Sequence, residues 1–316
     1  MAQKLIAIGE TIHASIAKVA DVMRQLHSLG DEAFEKESQP LNAVKEIIES
    51  QANEQAAFIA VNMDAFGEDD MGVTVELMKK YVRLVRKFGK GVPVCIDSSN
   101  DDVLIAGLKE WYDTDEDVKS PLVNSIKVYN ADLMMPLKKQ YDYAFIGLLM
   151  AEAKQGKISA VHTVDDLYEL AKELYDKAAD FGFTKDQVYF DTMTFPLAID
   201  MPMQPGQASY TYTAFESIKK IANDPQIGGT HFSLGISNCC RDLPGRKIGI
   251  ARAYVQVAME YGLDAGIVNV SHHLGESPAD PELVELVRAF AKMDGDPNNM
   301  TDAMMLMGQF CASAKK

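Results

Sequence analysis

The sequence predicts a closed (β/α)8 barrel formed as a single domain over residues 1–316. Three observations predict it. Short apolar, β-branched runs alternate with segments of helical spacing from end to end, the mark of βα units around a parallel sheet. Eight such runs can be counted, at 5–9, 58–63, 92–97, 122–127, 143–150, 188–191, 230–237 and 265–270. No linker or change of composition divides them, and no glycine-rich fingerprint follows the first run, so a barrel fits better than an open doubly wound sheet.

Between the runs, helices are legible from their faces. The polar stretch 30–40 reads as a surface excursion between two helices before the second strand. Leu77, Met78, Tyr81, Val82 and Val85 form one stripe after it, and Leu167, Leu170, Ala171, Leu174 and Ala178 form another after the fifth strand. Thr163 stands three residues before Asp166, the spacing of a capping box. The stretch 195–212, rich in Pro, Met and Gly, reads as a long loop after the sixth strand, with Met201 and Met203 as candidate contacts for a flat ligand. Ala251, Tyr254, Val255 and Ala258 follow the seventh strand, and Asp280-Pro281 supplies a helix start after the eighth.

Composition narrows the function. The chain is 47% hydrophobic and 24% charged, enough for a sizeable core. A net charge of −15 and the lack of a basic run argue against nucleic acid or an anionic membrane as partner. The start, Met1-Ala2-Gln3-Lys4, lacks a signal-peptide pattern, and no apolar segment is long enough to span a bilayer, so a cytoplasmic protein is expected. Cys95, Cys239, Cys240 and Cys311 lack disulfide or CxxC spacing and read as reduced thiols, the vicinal pair as small apolar filling. His13 and the pair His272-His273 fall near the expected rim without the spacing of helical zinc ligands, and no metal is expected.

The ends of the strands carry the functional signal, because a barrel places its chemistry at their carboxyl ends. Glu10 ends the first, Asn62 and Asp64 the second, Asp97-Ser98-Ser99-Asn100 the third. Asn124-Ser125 lies on the fourth, Asp191 ends the sixth, and Gly235-Ile236-Ser237-Asn238 ends the seventh. Taken singly, Asp97 or Asn100 reads equally as a cap for a helix starting near Asp101, and Ser237 or Asn238 as a turn residue. Together they describe a rim of carboxylates and carboxamides with little Lys or Arg, suited to a neutral heterocycle rich in N–H donors rather than a phosphate.

The segments Ile8-Gly9-Glu10, Val94-Cys95-Ile96-Asp97-Ser98-Ser99-Asn100, Val123-Asn124-Ser125, Ile146-Gly147-Leu148-Leu149-Met150, Tyr189-Phe190-Asp191 and Leu234-Gly235-Ile236-Ser237-Asn238 resemble, in order, the pterin-binding methyltransferases. These comprise the methyltetrahydrofolate:corrinoid/iron-sulfur protein methyltransferases, the folate module of cobalamin-dependent methionine synthase and the methyltransferase II components of bacterial O-demethylases. The resemblance implies a TIM barrel of the pterin-binding type. It implies that Glu10, Asn62, Asp97, Asn124, Asp191, Gly235, Ser237 and Asn238 bind tetrahydrofolate or 5-methyltetrahydrofolate, with Asn238 donating a hydrogen bond at N5 and Asp191 as its catalytic companion. Cobalamin is implied on a separate corrinoid protein, because no Asp-x-His-x-x-Gly segment is present here, and a homodimer is implied as well.

Two stretches depart from the family pattern. Ala60-Val61-Asn62 stands where relatives often have Asp-Leu-Asn, and the loop 239–246 matches only at Pro244 and Arg246, loosely. A stand-alone barrel favours transfer from a methylcorrinoid protein to tetrahydrofolate, as in O-demethylation. The alternatives are methyltetrahydrofolate to a corrinoid/iron-sulfur protein, a dihydropteroate synthase-like enzyme, and a non-catalytic folate-binding subunit. Against the synthase, Asn269-Val270-Ser271-His272-His273 lacks the family's Arg-x-His motif, and the seventh strand lacks its lysine.

Overall fold

The computed structural model describes residues 4–67, 70–154, 157–160, 163–202, 204 and 206–313, which leaves Met1 to Gln3 and Met203 outside the described residues. Eight parallel strands close into a barrel: β1 (Ile6–His13), β2 (Phe58–Asn62), β3 (Val94–Asp97), β4 (Leu122–Ile126), β5 (Ala144–Leu148), β8 (Val188–Asp191), β9 (His231–Gly235) and β10 (Ala265–Val268). A small antiparallel hairpin, β6 (Ala151–Lys154) and β7 (Lys157–Ala160), follows β5. The apolar run 143–150 predicts only the fifth strand, and the hairpin that follows it is not marked in the sequence. β1 pairs with β2 on one side and β10 on the other, which closes the ring.

Each strand is buried on both faces, as a parallel sheet covered by helices requires. Side chains alternate with the pleat. Ile8, Ala60, Cys95, Leu122, Ala144, Ile146, Tyr189 and Ala265 fill the barrel interior, while Ile59, Val61, Ile96, Val123, Phe145 and Phe190 belong to the larger outer core. Helices cover that outer layer. In α3 (Met71–Phe88) the predicted stripe from Leu77 to Val85 is buried, and α6 (Val164–Asp180) and α8 (Lys247–Tyr261) bury theirs. Thr163 caps α6 by accepting from the Asp166 amide, and Asp280 with Pro281 begins α9 (Pro281–Ala291). Gly107, in α4 (Asp101–Tyr112), lies so close to the sheet that a Cβ there would sit 2.7 Å from Ile96 Cγ2.

Two expectations need adjusting. The excursion at 30–40 is anchored, because Ala33 and Phe34 are buried and the Phe34 ring meets Tyr81 edge-on at 5.8 Å. The long loop ends early: α7 (Tyr210–Ala222) begins inside it, capped by Ser209, while buried Asp200 accepts from the Tyr210 and Thr211 amides. Of the loop's methionines, Met201 packs against the core and does not reach the cavity described below.

Candidate active site

A cavity of about 620 Å³ opens at the carboxyl ends of the strands, and its wall includes Glu10, Asn62, Asp97, Asn124, Asp191, Gly235, Ser237 and Asn238. Register explains the convergence. Asn62 is the Cα partner of Asp97, and Asp97 of Asn124, so three adjacent strands set three polar residues in one row. Within that row the Asn124 carboxamide donates to Asp97 Oδ1 at 2.9 Å, and the Asn62 side chain also hydrogen-bonds Asp97. Asp191 stands at the end of β8, where its Oδ1 accepts from the Met193 amide at 2.7 Å.

Burial pushes both Asp97 and Asp191 up to about 7, and negative neighbours add to it, Asp64 for Asp97 and Asp97 for Asp191. Hydrogen bonds from Asn62 and from the Met193 amide act in the opposite direction without overcoming burial. Ser237, in the turn after β9, donates to Glu10 Oε1 and so joins that turn to the middle of β1, which runs on past the sequence expectation to His13. Burial raises Glu10 as well, against the Ser237 bond and a backbone hydrogen bond at Asn269.

Asn238 lies in the turn Ile236–Cys240 that follows β9. Its Oδ1 accepts from Arg241 at 2.9 Å, which leaves the amide nitrogen as the end available to a ligand. That nitrogen is 3.1 Å from where a Cβ on Gly235 would lie, so glycine at 235 leaves the carboxamide its place on the wall. Cys239 and Cys240, next in the chain, are buried free thiols, consistent with their reading as filling.

Some residues take other roles. Asn100 caps α4, accepting from the Asp102 and Val103 amides, so the capping alternative holds for it, while Asp97 faces the cavity. His273 pairs with Glu54 and Glu276 at 3.3 and 3.4 Å and, with His272, lies off the cavity wall, whereas His13 lines it. In the turn after β2, Asp64 adds a carboxylate to the cavity wall, accepting from the Ser98 hydroxyl and from the Ser99 amide and hydroxyl. Among the described residues, no group of three or more His, Cys, Asp or Glu is placed to share a metal ion.

Sequence reasoning missed Lys127, Met193 and Thr194, which also line the cavity. Lys127 was in view as the last residue of a strand run, but nothing in strand periodicity tells whether a terminal side chain turns inward or to solvent. Met193 has a positive φ of 67°, a conformation fixed by the turn rather than legible in the residue.

A parallel barrel with acids and carboxamides gathered in a cavity at its carboxyl end defines the class of (β/α)8 proteins whose polar site lies at the strand ends. The family profile described as "Pterin binding enzyme" matches residues 30–269, more than half of the chain, and the protein belongs to that family. Among solved structures, a dihydropteroate synthase from Coxiella burnetii, in complex with pteroic acid, superposes with a TM-score of 0.53 at 13% identity, covering 92% of this chain and 94% of that one. The Mycobacterium tuberculosis protein Rv1207 gives a TM-score of 0.47 at 10% identity over the same shares of the two chains. The synthase likeness shows a common fold.

Proposed function

We propose that this protein transfers a methyl group between N5 of a tetrahydrofolate and a corrinoid carried by a partner protein, running from methylcorrinoid to tetrahydrofolate. The row Asn62, Asp97 and Asn124, with Asp191 beyond it, would hold the pterin ring, its carboxylates accepting from ring N–H groups in place of water. Cavity size supports this, since about 300–1,000 Å³ is usual for a small-molecule site. The corrinoid supplies or accepts the methyl as a cation equivalent at the open mouth. In the direction proposed, the N5 lone pair would form the new N–CH3 bond as the Co–CH3 bond of the partner's corrinoid breaks, its electron pair staying on cobalt as Co(I), and the N5 proton would leave to solvent.

The observation that carries the reading is the Asn238 carboxamide, fixed through Oδ1 by Arg241 with Nδ2 beside Gly235 on the cavity wall. A donor at N5 helps the charge-changing step more than it helps binding, so it suits a catalyst better than a mere folate carrier. Against a dihydropteroate synthase-like condensation, His273 lies off the cavity wall and is engaged by Glu54 and Glu276.

The test mixes pure protein, methyltetrahydrofolate and cob(I)alamin and follows the cobalt spectrum. Methylcobalamin should appear, and Asn238→Ala should slow it by about 10²-fold or more. Folate binding with no transfer in either direction would reject the methyltransferase reading.

A further inference from the structure

Lys127 is unusual among the cavity residues. It follows β4 directly, it is largely buried, and among the described residues it is the one lysine or arginine on a wall whose other polar side chains are acids, amides, hydroxyls and His13. The turn that carries it is built to hold it there. Its backbone N–H donates to Asn130 Oδ1 at 2.6 Å, and Asn130 in turn donates to Asp101 at 2.6 Å. The ammonium stands 5.9 Å from the centre of the Tyr129 ring. Asp64, Asp97 and Asp101 act on it through space, yet among the described residues no carboxylate oxygen comes within 4.0 Å of its nitrogen. Burial accordingly lowers its pKa against the pull of those acids.

A buried ammonium without a contact ion pair is expensive to maintain, and structures keep such groups where a ligand completes them. The acids on the wall take the ligand's N–H donors. A cation with three donors and no acceptor takes the opposite kind of atom.

We propose that Lys127 is a ligand-binding residue that takes an acceptor oxygen of the bound folate, carbonyl or carboxylate, and so selects which way round the ligand lies. The proposal rests on the folate reading above and is independent of whether methyl transfer occurs. Two sources of oxygen fit this chemistry, the ring carbonyl and the carbonyl or carboxylates of the aminobenzoyl-glutamate tail.

The test measures affinity by calorimetry for two ligands, tetrahydrofolate and 6-methyltetrahydropterin, which keeps the ring carbonyl and lacks the tail. Each is titrated into the native protein, Lys127→Met and Lys127→Arg, with thermal unfolding of all three as a control for folding. Lys127→Met should bind tetrahydrofolate about 10- to 100-fold more weakly, with partial rescue in Lys127→Arg. An equal loss for the pterin assigns the ring carbonyl, and a loss confined to tetrahydrofolate assigns the tail. Unchanged affinity of Lys127→Met for both ligands overturns the inference and leaves the methyltransferase proposal standing. Native protein that binds tetrahydrofolate but transfers no methyl has the reverse meaning, and failure to bind either ligand defeats both. Should Lys127→Met not fold, a Lys127→Arg affinity identical to native for both ligands overturns the inference by itself, since a guanidinium does not reproduce a point contact from ammonium.

Discussion

Asp97 and Asp191 sit in surroundings that hold their carboxyls far above the usual carboxylate range. Both are pushed to about 7, chiefly by burial. A pterin edge that donates N–H groups stabilises the ionised form, so tetrahydrofolate affinity should rise as pH passes about 7, a trend calorimetry across pH 6–8 would reveal. The empty protein behaves in the opposite sense. Because these acids hold protons more tightly folded than unfolded, their contribution to its stability falls as pH rises from about 4 to about 7. Asp191→Asn keeps an oxygen for the Met193 amide and removes the buried charge. We expect it to raise the melting temperature of the empty protein at pH 8, by about 2–4 °C per kcal/mol relieved, and to weaken tetrahydrofolate binding about 10-fold or more. A lower melting temperature with intact binding would contradict this account.

Strand β9 serves stability at one end and chemistry at the other, the usual division of a barrel. At its start His231 Nδ1 meets Asp264 Oδ2 at 2.6 Å, with the imidazole stacked on Tyr189 at 4.5 Å between centres. Asp264 also accepts from the Phe232 amide, tying β9 to the residue that precedes β10. The hydrogen bond to Asp264 raises the His231 pKa, more than burial lowers it. Its contribution is therefore fully present below the unfolded histidine value of about 6.5 and is lost as pH climbs through the higher folded value. Urea unfolding across pH 6–9 should show this loss, about 1 kcal/mol, and Asp264→Asn should flatten it while leaving the Phe232 contact. An identical pH profile in native protein and variant would rule out this pair as the source.

At the scale of the whole molecule, several exposed apolar side chains lie on segments that follow the carboxyl ends of strands: Ile16, Tyr129, Leu133, Ile199 and Ile248. Tyr129 lies on the cavity wall itself, Ile16 and Ile199 lie where the chain leaves β1 and β8 toward the next helix, and Ile248 lies at the start of α8, the helix after β9. Under the corrinoid reading proposed above, exposed apolar side chains on the segments beyond the strand ends would suit burial by a protein partner. Ile199→Asp and Ile248→Asp, neither on the cavity wall, should each slow transfer with protein-bound corrinoid by about 10-fold and leave free cobalamin unaffected. Equal rates of native protein and variants with the protein-bound corrinoid would remove this face from the docking account.

The sequence by itself determined the position of all eight barrel strands within a few residues, the buried stripes of α3, α6 and α8, and the polar residues at the strand ends. Those features are local: strand and helix periods and capping spacings are written in consecutive residues. Register and ring closure, by contrast, set contacts that no local pattern encodes. Closure brings Ser237 to Glu10 across 227 residues, and register lines up Asn62, Asp97 and Asn124. The hairpin β6–β7 and the inward course of Lys127 belong with them. So do the choice of Met193 over Met201 for the cavity and the use of Asn100 as a cap. Each depends on which side chains from distant segments already occupy the space, and a periodicity read along the chain carries no record of that.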